Sequence, residues 1–117
     1  MEKSGQDLSN AGQKEKDRAR QITQQANDLQ ARSEDLRAQA GEKKALADSL
    51  DSQGRGEDAQ LLRLESDKLT AQADENSQRA TVLLDQAQRL NESGANLEQQ
   101  GEQKIQKAND LKNLGVD

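Results

Sequence analysis

Small and large aliphatic residues recur along the chain with a period of seven. Starting at Leu8 and stepping alternately four and three residues, the pattern keeps its phase as far as Gly54. A second series of the same form runs from Leu62 to Gly115. Large aliphatic residues dominate one position of each heptad, and Ala, Gly or Ser fills the other. A heptad pattern sustained over this length predicts a coiled coil.

The residues predicted to form the helix interface occupy these two heptad positions. In the first series they are Leu8, Gly12, Ala19, Ile22, Ala26, Leu29, Leu36, Ala40, Ala47 and Leu50, and in the second Leu62, Leu69, Ala73, Ala80, Leu83, Ala87, Leu90, Gly94, Leu97, Gly101, Ala108 and Leu111. Polar residues interrupt the large position at Glu15, Lys43, Asn76 and Lys104. Such interruptions cost stability and fix the register or the number of partners.

Gly94 and Gly101 stand inside a stretch that otherwise predicts one continuous helix. Each glycine costs about 1 kcal/mol relative to alanine in a helix interior. Both fall at the small heptad position, where the missing side chain lets a neighbouring backbone approach closely. Dispersion contacts between closely spaced helices offset the lost helix propensity. The pattern therefore predicts an Ala/Gly-rich contact that is narrower than a leucine zipper.

The phase of the heptads slips between the two series, near Gly54 and Gly56. Glycine is favoured just past a helix end, which predicts helix 1 over about 5–53, a turn over about 54–57 and helix 2 over about 58–114. Two such helices form an antiparallel hairpin with arms on the order of 70 to 80 Å. Folding the chain back near Gly56 predicts that Gly12 lies near Gly101 and Ala19 near Gly94.

A continuous rod is the alternative architecture. Leu61 and Leu64 continue the first series in phase before the second takes over at Leu69. In this alternative the chain forms one unbroken helix, paired with other chains, and the glycines near residue 55 are a local irregularity.

Aliphatic residues outside the two heptad positions suggest further association. Leu46, Leu84, Ile105 and Leu114 occupy flanking positions, with Val82 outside them. A two-helix hairpin with few large side chains buries little area, and small scaffolds usually need oligomerisation or another staple. We therefore expect hairpins to pair into a four-helix bundle through these residues.

The composition narrows the possible functions. The sequence has no aromatic residue, Pro, Cys or His, and 33% of its residues are charged. Without His or Cys the usual general base and thiol nucleophile are missing, so we expect no enzyme, no cofactor and no metal site. A net charge of −5 without aromatic side chains argues against nucleic-acid binding. No apolar run suits a membrane span or a signal peptide, which predicts a soluble protein of unknown compartment.

The heptad pattern and the composition support three function hypotheses from different classes. The first is a coiled-coil module that serves as a spacer, scaffold or docking hairpin and binds itself or other helical proteins, either by itself or as a fragment of a longer protein. The second is a hydrophilic, conditionally disordered protective protein, because polarity and the absence of Cys and Trp resemble the composition of desiccation-tolerance proteins. The third is a SNARE-like helix that zippers with partner helices.

Overall fold

The chain folds into two long helices packed antiparallel. The computed structural model describes residues 2–115, with α1 at Glu2–Ser52 and α2 at Gly56–Asn113. The predicted helical hairpin is confirmed. The continuous rod is wrong, because the chain reverses between the helices. Leu61 and Leu64, which would have continued the contact of such a rod, are exposed at 61% and 54%.

The hairpin divides into two compact units, and each contains segments of both helices. The terminal unit combines residues 2–24 with 83–115, and the turn unit comprises residues 25–82. In the terminal unit the backbone of Gly5 contacts that of Gly101, and Gly12 contacts Gly94. These pairs run in opposite directions along α1 and α2, as antiparallel packing requires.

The turn unit has the same register, as the hydrogen bonds of its two buried serines show. Ser33 donates a hydrogen bond from Oγ to the carbonyl oxygen of Ala73 at 2.8 Å. Ser66 donates from Oγ to the carbonyl oxygen of Ala40, also at 2.8 Å. Each hydroxyl crosses the helix interface to a carbonyl that already accepts a bond within its own helix and still has a second lone pair. Both buried hydroxyls are therefore satisfied.

The pairing expected from the sequence is wrong by one heptad. Gly12 faces Gly94 instead of Gly101, and Gly101 faces Gly5. The same register places Ala19 level with Ala87, not with Gly94. The physical reason is the position of the turn, because the reversal is centred near residue 53 and not at Gly56. Moving its centre by three to four residues shifts every pair by about seven.

The turn is a Schellman motif that ends α1. Gly54 has a φ of 79°, in the left-handed region. Its N–H donates to the carbonyl oxygen of Asp51 at 3.0 Å, and the N–H of Arg55 donates to Leu50 at 2.9 Å. These two bonds satisfy carbonyl groups that the end of α1 would otherwise leave without partners.

Helix α2 begins immediately after the turn. The N–H of Ala59 donates to the carbonyl oxygen of Arg55 at 3.1 Å, and the acidic residues Glu57 and Asp58 lie in the first helical turn, where the helix dipole favours them. Gly56, expected in the turn, is the first residue of α2. The predicted four-residue turn is therefore shorter in the structure.

The buried residues of the hairpin are small, and they recur every seven positions. We call them the small row: Gly5, Gly12, Ala19, Ala26, Ser33, Ala40 and Ala47 in α1, and Ala59, Ser66, Ala73, Ala80, Ala87, Gly94, Gly101 and Ala108 in α2. No large side chain is fully buried among the described residues. The core is thus built from alanine and serine side chains, and from direct backbone contact only at the glycine pairs.

Candidate interaction surface

Two further rows of side chains flank the small row on opposite sides. In an α-helix, the residue three positions after a small residue lies about 60° to one side of it, and the residue four positions after lies about 40° to the other side. The large row consists of the residues three positions after each member of the small row. The polar row consists of the residues four positions after each member. Within each unit the helices are antiparallel and meet through their small rows, so both large rows lie on one face of that unit and both polar rows on the other.

Ion pairs cross the helix interface on the side of the polar rows. In the terminal unit Lys16 Nζ lies 2.7 Å from Glu98 Oε2. In the turn unit Arg37 contacts Asp74 at 3.0 Å. Both pairs join α1 to α2 on one side of the small row. We call this side the polar face.

Arg63 is the centre of a second cluster on the polar face, next to the turn. It binds Asp48 at 3.1 Å and also Asp51. Hydrogen bonds to Asp51 and Asp48 raise the pKa of Arg63 above its ordinary value. This cluster joins the end of α1 to the start of α2.

The large rows form the opposite side of the hairpin, which we call the aliphatic face. Its aliphatic residues are all only partly buried: Leu8, Ile22, Leu29, Leu36 and Leu50 in α1, and Leu62, Leu69, Leu83, Leu90, Leu97 and Leu111 in α2. The close approach of the two backbones leaves no room for these side chains in the interface, so they lie beside it. Each unit therefore presents two neighbouring rows of aliphatic side chains that α1 and α2 cover only in part.

The polar interruptions of the large rows have different surroundings. Lys43 Nζ donates to Glu65 Oε2 at 2.7 Å, and this bond lowers the pKa of the Glu65 carboxyl below its ordinary value. Lys104 is exposed and donates to Ser4 Oγ at 3.2 Å. Asn76 is partly buried. Glu15 is partly buried too, and its Oε2 atom has no hydrogen-bond partner among the described residues.

The structure places every residue of the predicted helix interface in one of these rows. Those at the small position are buried, and those at the large position are partly buried. Sequence reasoning missed Gly5 and Ala59, which are buried members of the small row. Extending the seven-residue period by one step before Gly12 and before Ser66 would have found both. Ser33 and Ser66 fitted the period but were not counted as interface residues.

The flanking aliphatic residues do not form the single second surface that the sequence suggested. Leu84 and Ile105 belong to the polar row and are partly buried. Ile105 packs beside Gly5, within the contact between the helices. Leu46, Val82 and Leu114 are exposed and lie outside the large and polar rows. The partly buried aliphatic residues outside the small row are mostly those of the large rows.

The described part of the chain lacks the groupings that would suit a metal ion or a bilayer. Residues 2–115 contain no group of three or more His, Cys, Asp or Glu side chains that could hold a metal ion. Among the same residues, neither helix has a stretch apolar enough to cross a bilayer. A shallow depression on the polar face is lined by polar residues that include Lys44, Arg63 and Thr70.

Comparisons with protein families, with curated proteins and with solved structures return no match for this chain.

Proposed function

We propose that the chain is a non-enzymatic coiled-coil module, a structural or docking hairpin that binds helices through its aliphatic face. The observation that supports this proposal is that the small row and the large rows have different surroundings. Small residues hold α1 and α2 together, whereas the aliphatic residues that could form a larger core are left partly exposed along one face.

The energetics of burial support a binding role for this face. Covering the remaining surface of a half-buried leucine contributes roughly 1 kcal/mol. Contiguous aliphatic surface bordered by polar residues is typical of interaction sites. In the turn unit, Leu29 and Leu36 of α1 and Leu62 and Leu69 of α2 supply such a surface, and Lys43 and Glu65 lie at its border.

The polar face supports a solvent-facing role for the other side. Its ion pairs Lys16–Glu98 and Arg37–Asp74 connect α1 with α2 and leave few apolar atoms for a partner. Exposed ion pairs contribute little net stability, but their charges disfavour burial of this face against another protein. Each unit thus has one side suited to a partner and one suited to water.

Circular dichroism and thermal unfolding test the structural part of this proposal. We expect a helical spectrum and a cooperative transition at micromolar concentration. A random-coil spectrum at room temperature would contradict the proposal and favour the disordered protective protein. A helical chain that melts without cooperativity would also contradict it.

Paired substitutions test the role of the aliphatic face. Leu36→Gln with Leu69→Gln changes two large-row residues of the turn unit, and we expect loss of association with helical partners, including a second copy. Leu61→Gln with Leu64→Gln is the matched control, because both leucines are exposed outside the large row. Association is read by sedimentation equilibrium and helicity by circular dichroism. Equal association of both variants would contradict the proposal.

A further inference from the structure

Glu15 lies on the aliphatic face of the terminal unit, and its carboxylate forms no ion pair with the described residues. Its Oε2 atom is buried and has no hydrogen-bond partner among the described residues. The neighbouring Lys16 binds Glu98 at 2.7 Å on the polar face, and Lys104 donates to Ser4. A buried carboxylate is costly unless it is paired. The face therefore has a position at which a partner's cation would be stabilising.

Lys43 is the matching cation, in the large row of the turn unit. It follows Glu15 by four heptads of the same helix, so it belongs to the same row of α1. Its ammonium group binds Glu65 at 2.7 Å, and 36% of its side chain is exposed. An ammonium group has three donors, so Lys43 can bind a second carboxylate without releasing Glu65.

The large row of α1 is symmetric about its central residue. In order it contains Leu8, Glu15, Ile22, Leu29, Leu36, Lys43 and Leu50. When this row is laid against a reversed copy of itself, Leu29 meets Leu29, Ile22 meets Leu36 and Leu8 meets Leu50. The remaining pair is Glu15 with Lys43, which have opposite charges. Each residue of the row then faces either an aliphatic residue like itself or a residue of opposite charge in the second copy.

We propose that a second copy of this chain binds the aliphatic face with its turn end pointing the opposite way, so that Glu15 of each copy pairs with Lys43 of the other. This inference rests on the proposed function and names the partner. Two-fold symmetry forms the same contact twice. The product is a four-helix assembly in which α1 of one copy lies antiparallel to α1 of the other.

The alternative two-fold arrangement, with both turn ends together, lacks this complementarity. It sets α1 of one copy against α2 of the other. In the register of the terminal unit, Glu15 would then face the large-row residues Leu90 and Leu97. Its carboxylate would be covered further by aliphatic groups and still have no cation, at a desolvation cost. The charges on the face thus select the arrangement with opposite turn ends.

Charge exchange tests the proposal in solution. Glu15→Lys and Lys43→Glu each place like charges together at both contacts of a homodimer, and we expect each to weaken dimerisation by at least about tenfold in Kd. An equimolar mixture of the two variants pairs opposite charges at both contacts, so it should dimerise about as well as the unmodified chain. The double variant Glu15→Lys/Lys43→Glu should recover in the same way. Sedimentation equilibrium measures all five samples.

The outcomes separate this inference from the proposed function. The matched control is Glu42→Lys, a charge reversal at an exposed position next to Lys43 that is outside the large row, and its Kd should not change by more than about twofold. Failure of the mixture and of the double variant to recover would overturn the Glu15–Lys43 pairing. A chain that unfolds cooperatively as a helical monomer at every concentration would also overturn it, while the structural role would stand.

Single cysteines give an independent test, because the chain has no cysteine of its own. A disulfide needs Cα atoms within about 7 Å. Leu29→Cys should cross-link to itself on mild oxidation, since Leu29 faces its own copy. Leu8→Cys should not, but should cross-link when mixed with Leu50→Cys. Self-cross-linking of Leu8→Cys, or none by Leu29→Cys while dimers form, would overturn the proposed direction.

Discussion

Gly94 and Gly12 bring the backbones of the two helices into direct contact. A β-carbon on Gly94 would lie 2.6 Å from the carbonyl oxygen of Gly12 and 3.1 Å from Cγ of Lys16. The first atom belongs to the backbone and cannot move unless α1 itself moves. The glycine at position 94 is therefore required by the proximity of α1, despite its cost to helix propensity.

Gly94→Ala should destabilise the hairpin, whereas Gly41→Ala should stabilise it. Alanine gains up to about 1 kcal/mol in helix propensity at either position. At Gly94 the added methyl group forces the helices apart, and overpacking of this kind typically costs 1–3 kcal/mol, so the net effect is a loss. At Gly41 the added carbon has no atom within 4 Å apart from its chain neighbours and the adjacent backbone of its own helix. Urea denaturation followed by circular dichroism measures both variants.

Opposite signs for this matched pair would identify the close contact as the cause. Adding Gly101→Leu to Gly94→Leu extends the test, because two leucines at adjacent levels of the small row should separate the helices of the terminal unit. If the leucine variant melted as high as the unmodified chain, close backbone contact would not hold this unit together.

Ser66→Ala should change the stability of the hairpin by less than about 0.5 kcal/mol, and Ser33→Ala should cost more, up to about 1.5 kcal/mol. Ser66→Ala removes one hydrogen bond across the interface, which contributes about 1 kcal/mol, whereas Ser33→Ala removes the bond to Ala73 and a second one with Ser77 Oγ. Alanine regains part of this through its higher helix propensity, and the acceptor carbonyl groups of Ala73 and Ala40 keep their helical bonds. Thermal unfolding of both variants measures the change. A loss above about 1.5 kcal/mol would show that the serines hold the register of the turn unit.

The seven-residue period predicted most residues of the small row, but not which of them would face each other. Gly12 is buried as expected, but it faces Gly94 across the helix interface and not Gly101. A seven-residue period is unchanged by a shift of seven, so small residues meet small residues in either register. The choice depends on the turn, where the Leu50–Arg55 hydrogen bond and the φ of Gly54 place the reversal. Gly54 and Gly56 both suit a helix end in sequence, and only the backbone geometry distinguishes them.

The Lys43–Glu65 pair makes part of the stability depend on pH. The hydrogen bond from Lys43 lowers the pKa of Glu65 in the folded chain. A carboxyl whose pKa is lower when folded contributes stability above its unfolded pKa, and this is lost as the pH falls through the folded value. Lys43→Met should raise the pKa of Glu65 towards its ordinary value, leaving only the smaller lowering by Lys68. An NMR titration of the Glu65 side chain measures the shift.

The control for this titration is Lys44→Met, which removes the neighbouring cation from the polar row. It should leave the pKa of Glu65 low, because Lys44 is not among the groups that lower it. A Glu65 titration that is the same in the Lys43 variant and the unmodified chain would contradict the pairing.

Gly54→Ala should destabilise the hairpin by about 1–2 kcal/mol, the cost of an L-residue in the left-handed region. Gly54 has a φ of 79° and ends α1. Gly56→Ala is the matched control two residues away. Gly56 lies in α2, and the nearest atom to an added carbon is Asp51 Oδ1 at 3.9 Å, so the substitution is tolerated and gains helix propensity. Chemical denaturation of both variants decides between the two glycines. Equal losses would mean that Gly56 also has a backbone conformation that alanine cannot adopt, and that the turn extends further than Arg55.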